Sequence, residues 1–190
     1  MTRIILASGS FLKNFVLEKS KLSYEVVEAG IDESVYDDAS IEERVRLLAE
    51  KKCRAVAARV PNAVVIAADT LTCNAAGTVF SKPGPDSDPF VAAMELSGKT
   101  IGVYTGCSII LPDGSQSSIT TYTKLTYQHF DEARLRILTD GDNAAIRSGA
   151  LGIFYDAPGF TLIEAIEGSY SGAYGLPMEF VYTQLDKLNL

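Results

Sequence analysis

An acid and a lysine that could share one reactive site lie on either side of a segment with the composition of a turn. Asp69 comes shortly after residues 64–67, an apolar run typical of a buried strand, and residues 74–77 have the composition of a hairpin turn. A symmetrical hairpin places Lys82 opposite Asp69, where Cβ atoms lie about 5 Å apart. This pair could hold and activate a reacting group. A surface ion pair at a sheet end is the alternative, because such pairs are common.

A second group of residues could bind an anion. Residues 3–7 predict a short strand, the helical spacing of apolar residues begins shortly after it, and Ser8-Gly9-Ser10 forms the link. A helix N-terminus presents unpaired N–H groups and the positive end of a dipole, and Lys13 would add a full charge one turn later. Ser10 could equally serve only as the N-cap of this helix. The pattern leaves both explanations open.

A third candidate, Lys52, lies on the apolar stripe of a long helix. Residues 40–43 form a capping box, which predicts a helix that continues to about residue 58. Lys52 shares the face of the buried residues, whereas Lys51 and Arg54 point away from it. The ammonium group of Lys52 therefore either extends to solvent or faces a polar cleft. Two carboxylates, Asp32 and Glu33, follow the predicted strand that precedes this helix.

These candidates must be positioned by intermixed helices and strands, which predict an α/β protein with a mixed sheet. His129 is expected in the turn that enters a helix. The remaining expected elements are strands over residues 23–27, 100–111, 119–127, 149–154 and 160–165, a tight turn at 112–114, and helices over 86–96, 131–138 and 178–188.

Composition excludes several classes of protein. The chain has 190 residues, is 47% hydrophobic and carries a formal charge of −7, which disfavours sequence-independent binding of nucleic acid. It has one histidine and three scattered cysteines, so an ordinary zinc site and a disulfide framework are not expected. No stretch approaches the roughly 20 apolar residues of a membrane span. We expect a single cytoplasmic domain over residues 1–190, with no membrane and no nucleic-acid polymer as partner.

Taken together, the motifs of this chain resemble those of the Maf family of nucleoside triphosphate pyrophosphatases. Each motif is weak alone, but their order and spacing are specific, and they cover nearly the whole chain. The motifs are Ile5-Leu6-Ala7-Ser8-Gly9-Ser10, Gly30-Ile31-Asp32-Glu33, Leu48-Ala49 with Lys52, Ala68-Asp69-Thr70, Ser81-Lys82-Pro83, Leu96-Ser97-Gly98, Tyr104-Thr105-Gly106, Ile166-Glu167-Gly168-Ser169-Tyr170 and Gly175-Leu176-Pro177.

The resemblance implies a fold, an activity and a set of site residues. The expected fold is a two-lobed mixed sheet with flanking helices and a central cleft, similar to inosine triphosphate pyrophosphatases, often in a homodimer. The expected substrate is a nucleoside triphosphate, cleaved between the α- and β-phosphates. The family's active-site positions match Ser8, Glu33, Lys52, Asp69 and Lys82, with Asp69 as proton acceptor.

Our hypothesis for the mechanism distributes roles among these residues. Phosphoryl transfer requires charge neutralisation, so Lys13, Lys52 and Lys82 are assigned to phosphate oxygens, with the backbone of Ser8-Gly9-Ser10 as a further cradle. Glu33 and Asp69 are assigned to a divalent cation, Mg²⁺ or Mn²⁺, with Co²⁺ as a further candidate. Asp32 could replace Glu33, although an exposed turn position is its alternative.

The chain departs from the family pattern where the base should be read. Ser10-Phe11-Leu12-Lys13 stands where the family usually has Ser-Pro-Arg-Arg, and lysine lacks the planar fork of arginine. Thr70 is similar to the thymidine and uridine group. Phe154, however, replaces the glutamine of that group and the glutamate of the group that acts on methylated nucleotides. The sequence favours a dTTP/UTP-like or modified nucleotide. The alternative is a catalytically weak nucleotide-binding regulator connected with cell division.

Overall fold

The structure is a computed structural model that describes residues 2–80, 89–138 and 162–188. Within these residues the chain forms six strands and five α-helices. The strands are β1 (Arg3–Leu6), β2 (Glu25–Val26), β3 (Ala63–Cys73), β4 (Thr100–Ile110), β5 (Gln116–Tyr127) and β6 (Ile163–Gly168). The helices are α1 (Phe11–Lys19), α2 (Ile41–Ala57), α3 (Pro89–Met94), α4 (Glu132–Leu138) and α5 (Met178–Leu185), with 3₁₀ turns at Ser34–Tyr36, Gly172–Tyr174 and Asp186–Leu188.

The six strands form one mixed sheet in the order β2-β1-β3-β4-β5-β6. β1 is parallel to both β2 and β3, whereas β5 and β6 are antiparallel. The predicted class, an α/β protein with a mixed sheet and flanking helices, is confirmed. None of the helices in the described residues is long and apolar enough to span a bilayer.

The chain divides into two compact units, in agreement with the two lobes expected. The first unit comprises Met1–Leu71, Tyr104–Tyr122 and Ser169–Leu190. The second comprises Thr72–Val103 and Thr123–Gly168.

In the first unit, α2 packs on one face of β1 and β3. The shared core consists of Ile5, Ala7, Ala63, Val65 and Ala67 from the strands and Cys53 and Val56 from the helix. A Cβ atom on Gly106 of β4 would lie only 2.2 Å from the carbonyl oxygen of Val45, so strand and helix backbones meet directly here. This close approach fixes the position of α2 on the sheet.

The start of α2 follows the predicted capping box. The backbone N–H of Glu43 donates to Ser40 Oγ over 3.3 Å, and Ser40 Oγ donates to Glu43 Oε2 over 2.9 Å. The carboxylates of Glu42 and Glu43 in the first turn also suit the positive end of the helix dipole. Local signals therefore determine where this helix begins.

In the second unit, the predicted turn after β3 is present. Gly77 N donates to Asn74 O over 3.0 Å, and Cys73 forms a bridge with Val79. His129 precedes α4, as expected, and its ring lies where a Cβ on Gly98 would be, 2.2 Å from Cε1. The predicted strand over 149–154 lies outside the described residues.

One expectation about β3 is wrong. The apolar run over 64–67 predicted a strand with Asp69 at its end, but β3 extends over 11 residues to Cys73. The strand continues because the polar residues that follow the run have partners of their own. Asp69 is consequently an internal strand residue whose side chain is largely buried.

Candidate active site

Lys52 lies between two carboxylates in the first unit. Its Nζ donates to Asp69 Oδ1 over 2.6 Å and lies 2.9 Å from Glu33 Oε1. The side chains of Lys52 and Asp69 are each 12% exposed, whereas that of Glu33 is 56% exposed. The sequence left open whether the ammonium group of Lys52 extends to solvent or faces polar groups, and in the structure it faces polar groups.

The packing of α2 on the sheet explains this contact. Successive side chains of a strand point to opposite faces, so Asp69 lies on the same face of β3 as Val65 and Ala67, which pack against α2. Lys52 is adjacent in sequence to Cys53, which belongs to the same core. The acid and the amine therefore meet at the edge of this apolar contact.

Glu33 is placed by the loop that leads to the Ser34–Tyr36 turn. Asp32 Oδ1 accepts hydrogen bonds from the backbone N–H of Ser34 over 3.0 Å and from its hydroxyl over 2.8 Å. Lys51 Nζ donates to the carbonyl oxygen of Asp32 over 3.1 Å. Asp32 thus has the role of an exposed turn residue, which was its alternative assignment.

The charge state of Lys52 follows from its surroundings. Burial lowers the pKa of Lys52, but the charge and hydrogen bond of Asp69, with contributions from Glu33, more than offset burial. The pKa of Lys52 is therefore raised above its ordinary value of 10.5. The amine is a cation at neutral pH and can interact with an anionic substrate.

The Ser8-Gly9-Ser10 link follows the C-terminal end of β1, and the parallel strand β3 continues from this level to Asp69. β1 and β3 are parallel, with Leu6 opposite Ile66, so β3 continues past the end of β1. Ser10 occupies the N-cap position of α1, but its side chain makes no capping hydrogen bond. Its backbone N–H donates instead to Ser8 Oγ over 3.2 Å. The side chain of Ser10 therefore does not cap the helix in this structure.

A carboxylate also lies beside this link. A Cβ atom on Gly9 would be only 2.4 Å from Glu28 Oε1, so the acid packs directly against the glycine. The negative charge makes the local field less favourable to an anion. Nothing in the sequence singled out Glu28, because its position depends on how β2 runs beside β1.

Lys13 and Thr70 form a second cluster around Gly175. A Cβ atom on Gly175 would lie 3.0 Å from Thr70 Oγ1 and 3.3 Å from Lys13 Nζ. Thr105 Oγ1 donates to the carbonyl oxygen of Gly172 over 2.8 Å and lies 3.1 Å from Thr70 Oγ1. Because the Thr105 proton is used in this way, the Thr70 hydroxyl is the donor between the two threonines.

The structure therefore distributes the predicted residues over two clusters in the same unit. Asp69 and Thr70 are neighbours in β3, and their side chains point to opposite faces of the strand. Asp69 joins the cluster of Lys52, whereas Thr70 joins that of Lys13. Leu12 is half-buried in α1. Lys82 and Phe154 lie outside the described residues, so the predicted pairing of Lys82 with Asp69 stays a prediction.

Sequence reasoning gave no individual role to two residues of the second cluster. Thr105 and Gly175 both belong to motifs that carry the family resemblance, so the signal was present. Gly175 has φ +92°, a left-handed conformation that favours glycine, and a side chain there would crowd Lys13 and Thr70. Glycine at this position keeps the two functional groups accessible to each other.

The Glu33 and Asp69 carboxylates fit the requirements of a hard divalent cation. Oxygen atoms of both residues contact the same atom, Lys52 Nζ, so they are close enough to share one small ion. Mg²⁺ typically binds one or two carboxylates and takes its other ligands from water and phosphate. In the described parts of the chain, no three His, Cys, Asp or Glu side chains converge. The donor set thus fits an ion that is completed by substrate.

Comparison with known proteins gives a consistent result. The family model described as "Maf-like protein" matches residues 3–188. A dTTP/UTP pyrophosphatase of Deinococcus radiodurans is 37% identical over 182 residues, which cover 94% of this chain and 89% of the relative. Proteins of the same name from Moorella thermoacetica and a Geobacillus species are 35% and 31% identical and cover 94% and 99% of this chain, with 91% and 99% of the relatives covered.

A solved structure also matches, at a lower level. It is a nucleoside-triphosphatase described as a dITP/XTP pyrophosphatase, from Mycobacterium abscessus, with 18% identity and a TM-score of 0.40. The match covers 68% of this chain and 76% of the other. A likeness this weak carries no argument about the present chain.

Proposed function

The chain belongs to the Maf family, and from this premise we propose that it is a nucleoside triphosphate pyrophosphatase. It converts a nucleoside triphosphate and water to the nucleoside monophosphate and pyrophosphate. The observation that carries the proposal is the cluster in which the largely buried Asp69 and the exposed Glu33 hold the ammonium group of Lys52. This cluster combines a base, a cation for phosphate oxygens and two metal ligands.

The proposed reaction is an in-line attack of water on the α-phosphorus. The water oxygen forms a bond to this phosphorus, the bond to the oxygen that bridges the α- and β-phosphates breaks, and pyrophosphate leaves. Asp69 orients the water and takes its proton. A general base of this kind contributes about 10²–10⁴-fold to the rate.

Three lysines and one backbone segment are proposed to bind the triphosphate. Lys13, Lys52 and Lys82 donate to phosphate oxygens, with the backbone of Ser8-Gly9-Ser10 as a further cradle. The N–H of Ser10 can take part only if it gives up its hydrogen bond to Ser8 Oγ. Lys13 and Lys52 lie on different faces of β3. The ladder between β1 and β3 ends where Leu6 lies opposite Ile66, and β3 continues beyond that point. A phosphate chain that crosses this end of β1 can approach both lysines.

The metal ligands are proposed to be Glu33 and Asp69. Mg²⁺ or Mn²⁺, with Co²⁺ as a further candidate, would supply positive charge for the phosphate oxygens when bound there. Between turnovers the same two carboxylates orient Lys52. Glu33 is the more exposed of the two, so its side chain can change conformation more easily when a ligand binds or dissociates.

The proposed substrates are dTTP and UTP. The relatives with 30–37% identity carry these nucleotides in their names. Thymine and uracil present an N–H donor between two carbonyl groups. The Thr70 hydroxyl donates a hydrogen bond to Thr105 Oγ1, so its own lone pairs can accept a hydrogen bond from such an N–H group. Leu12 cannot hydrogen-bond a base, so Thr70 is the proposed polar contact.

The remaining parts of the proposal concern context. We propose that residues 1–190 act as one Maf-like domain, that the protein works in the cytoplasm on free nucleotides, and that a homodimer is its functional form. No nucleic-acid polymer and no membrane are expected as partners. The net charge of −7 supports the first of these exclusions, because a long polyanion would be repelled.

Pyrophosphate release tests the proposal directly. The protein is incubated with dTTP, UTP, other canonical triphosphates and methylated triphosphates, each with Mg²⁺, Mn²⁺ or Co²⁺, and the products are separated. We expect monophosphate and pyrophosphate in equal amounts, fastest with dTTP or UTP. Diphosphate and inorganic phosphate as products would refute the site of cleavage. Nucleotide binding with no turnover above that of an Asp69→Asn variant would favour the alternative, a nucleotide-binding regulator.

A further inference from the structure

Lys52 occupies the place between Glu33 and Asp69 that a divalent ion would need. Its Nζ lies 2.6 Å from Asp69 Oδ1 and 2.9 Å from Glu33 Oε1, distances typical of charge-assisted hydrogen bonds. The side chain of Lys52 is only 12% exposed. The ammonium group is therefore a largely buried cation already bound to both proposed metal ligands.

A divalent ion that bridged Asp69 Oδ1 and Glu33 Oε1 would need the position that this ammonium group occupies. Mg²⁺ binds oxygen at about 2.0–2.1 Å, so it would lie within a few ångströms of Nζ. Two cations at that separation repel each other, and the limited exposure of Lys52 and Asp69 weakens the screening of this repulsion by water. Metal binding consequently requires Lys52 to move away from the carboxylates.

We expect this movement in the side chain alone. The α2 backbone is held by its N-cap and by the direct contact between Val45 and Gly106. The four-carbon stem of a lysine can rotate without a change in the helix. A displaced Lys52 would need a new anionic partner, because the amine remains charged at neutral pH. The phosphates of the substrate are such a partner.

We propose that Lys52 is a built-in substitute for the metal, which holds Glu33 and Asp69 together in the nucleotide-free protein and moves to a phosphate oxygen when metal and triphosphate bind together. This inference rests on the proposed function for the identity of the substrate. It adds that metal binds weakly to the nucleotide-free protein and that the two ligands strengthen each other's binding. By linkage, this coupling is equal in both directions.

The test measures Mn²⁺ binding to metal-depleted, nucleotide-free protein by calorimetry and by the electron paramagnetic resonance of free Mn²⁺. Lys52→Met should bind Mn²⁺ at least about tenfold more tightly than the wild type, a factor within the usual range of coupling between sites. Lys99→Met is the matched control, because Lys99 is an exposed lysine of the second unit, whereas Glu33 and Asp69 belong to the first. Its affinity should equal that of the wild type.

Two further variants keep the test decisive. If Lys52→Met does not fold, as judged by circular dichroism, Lys52→Gln removes the charge while it retains a donor for Asp69. Adding Glu33→Gln to either Lys52 variant should cancel the gain in affinity, because the ion then loses one ligand. The proposal is overturned if neither Lys52 variant binds Mn²⁺ more tightly than the wild type. It is also overturned if the tight binding survives Glu33→Gln.

These measurements use no nucleotide, so they separate the two proposals. A wild-type protein without pyrophosphatase activity would refute the proposed function, while the Mn²⁺ affinities would still decide whether Lys52 competes with metal. Conversely, an active enzyme whose Lys52 variants show unchanged Mn²⁺ affinity would keep the proposed function and exclude the substitution by Lys52.

Discussion

Replacing Asp69 with asparagine tests the ion pair and the proposed base in one variant. Removal of one partner from a fully buried ion pair costs about 3–5 kcal/mol. Here Lys52 keeps the partly exposed Glu33 at 2.9 Å, so its charge is not left uncompensated. We therefore expect a smaller loss of unfolding free energy, about 1–3 kcal/mol. For a chain of this length, Tm should fall by roughly 2–12 °C.

The effect of Asp69→Asn on turnover should be much larger than its effect on binding. Asparagine can orient water but cannot accept its proton, so kcat should fall by about 10²–10⁴-fold. Affinity for a triphosphate with a non-hydrolysable α–β link should be retained in metal-free buffer, since the variant removes a negative charge near the phosphates. The assays are pyrophosphate release, calorimetric titration and thermal unfolding on the same preparation.

Asp113→Asn is a suitable control for this variant. Asp113 is an exposed turn residue whose carboxylate accepts a hydrogen bond from Ser115 N over 2.9 Å. Its replacement should leave kcat unchanged and cost less than about 1 kcal/mol. If Asp69→Asn kept a kcat near that of the wild type, the assignment of the base would be wrong. An unchanged Tm would show that the contact with Lys52 does not stabilise the fold.

Three further variants test the packing, the pH dependence and the phosphate contacts. Gly106→Ala should lower the free energy of unfolding by about 1–3 kcal/mol in denaturant titrations, because the added Cβ meets the backbone of α2; a smaller loss would mean that α2 can shift freely. Burial raises the pKa of the Cys53 thiol to about 12 from 9.0. The unfolded chain therefore loses this proton first, and stability should fall as pH rises above 9, by about 1 kcal/mol at pH 10 from this group; Cys53→Ser should remove that part of the decline, and an identical pH profile would contradict the assignment. Lys82→Ala should raise KM for the triphosphate, and an unchanged KM in steady-state assays would argue against its contact with phosphate.

The sequence predicted features that depend on neighbours in the chain. The capping box at Ser40 and Glu43 marks the start of α2, and the turn at residues 74–77 is where its composition indicated. Such signals work because the hydrogen bonds join residues only a few positions apart. The family was also predicted correctly, since the order of its motifs is written in the chain.

The extent of β3 was misjudged for a physical reason. The change from apolar to polar residues at Asp69 was interpreted as the end of the strand, yet the strand continues to Cys73. Asp69 can remain in a largely buried position because Lys52 compensates its charge. Thr70 can remain in the strand, half-buried, because its hydroxyl has a hydrogen-bond partner in Thr105. Both partners are distant in sequence, so hydrophobic periodicity contains no signal for them.

By itself, the sequence determined which chemical groups are present, the family to which the chain belongs and the local elements that carry Asp69 and Lys52. Only the tertiary structure decided that Lys52 pairs with Asp69 and Glu33, and that Lys13 lies instead beside Thr70 and Gly175. The reason is that these contacts exist only once α2 packs against β3 and Gly175 approaches α1. Hydrophobic burial drives that packing, and the polar groups acquire their partners as a consequence.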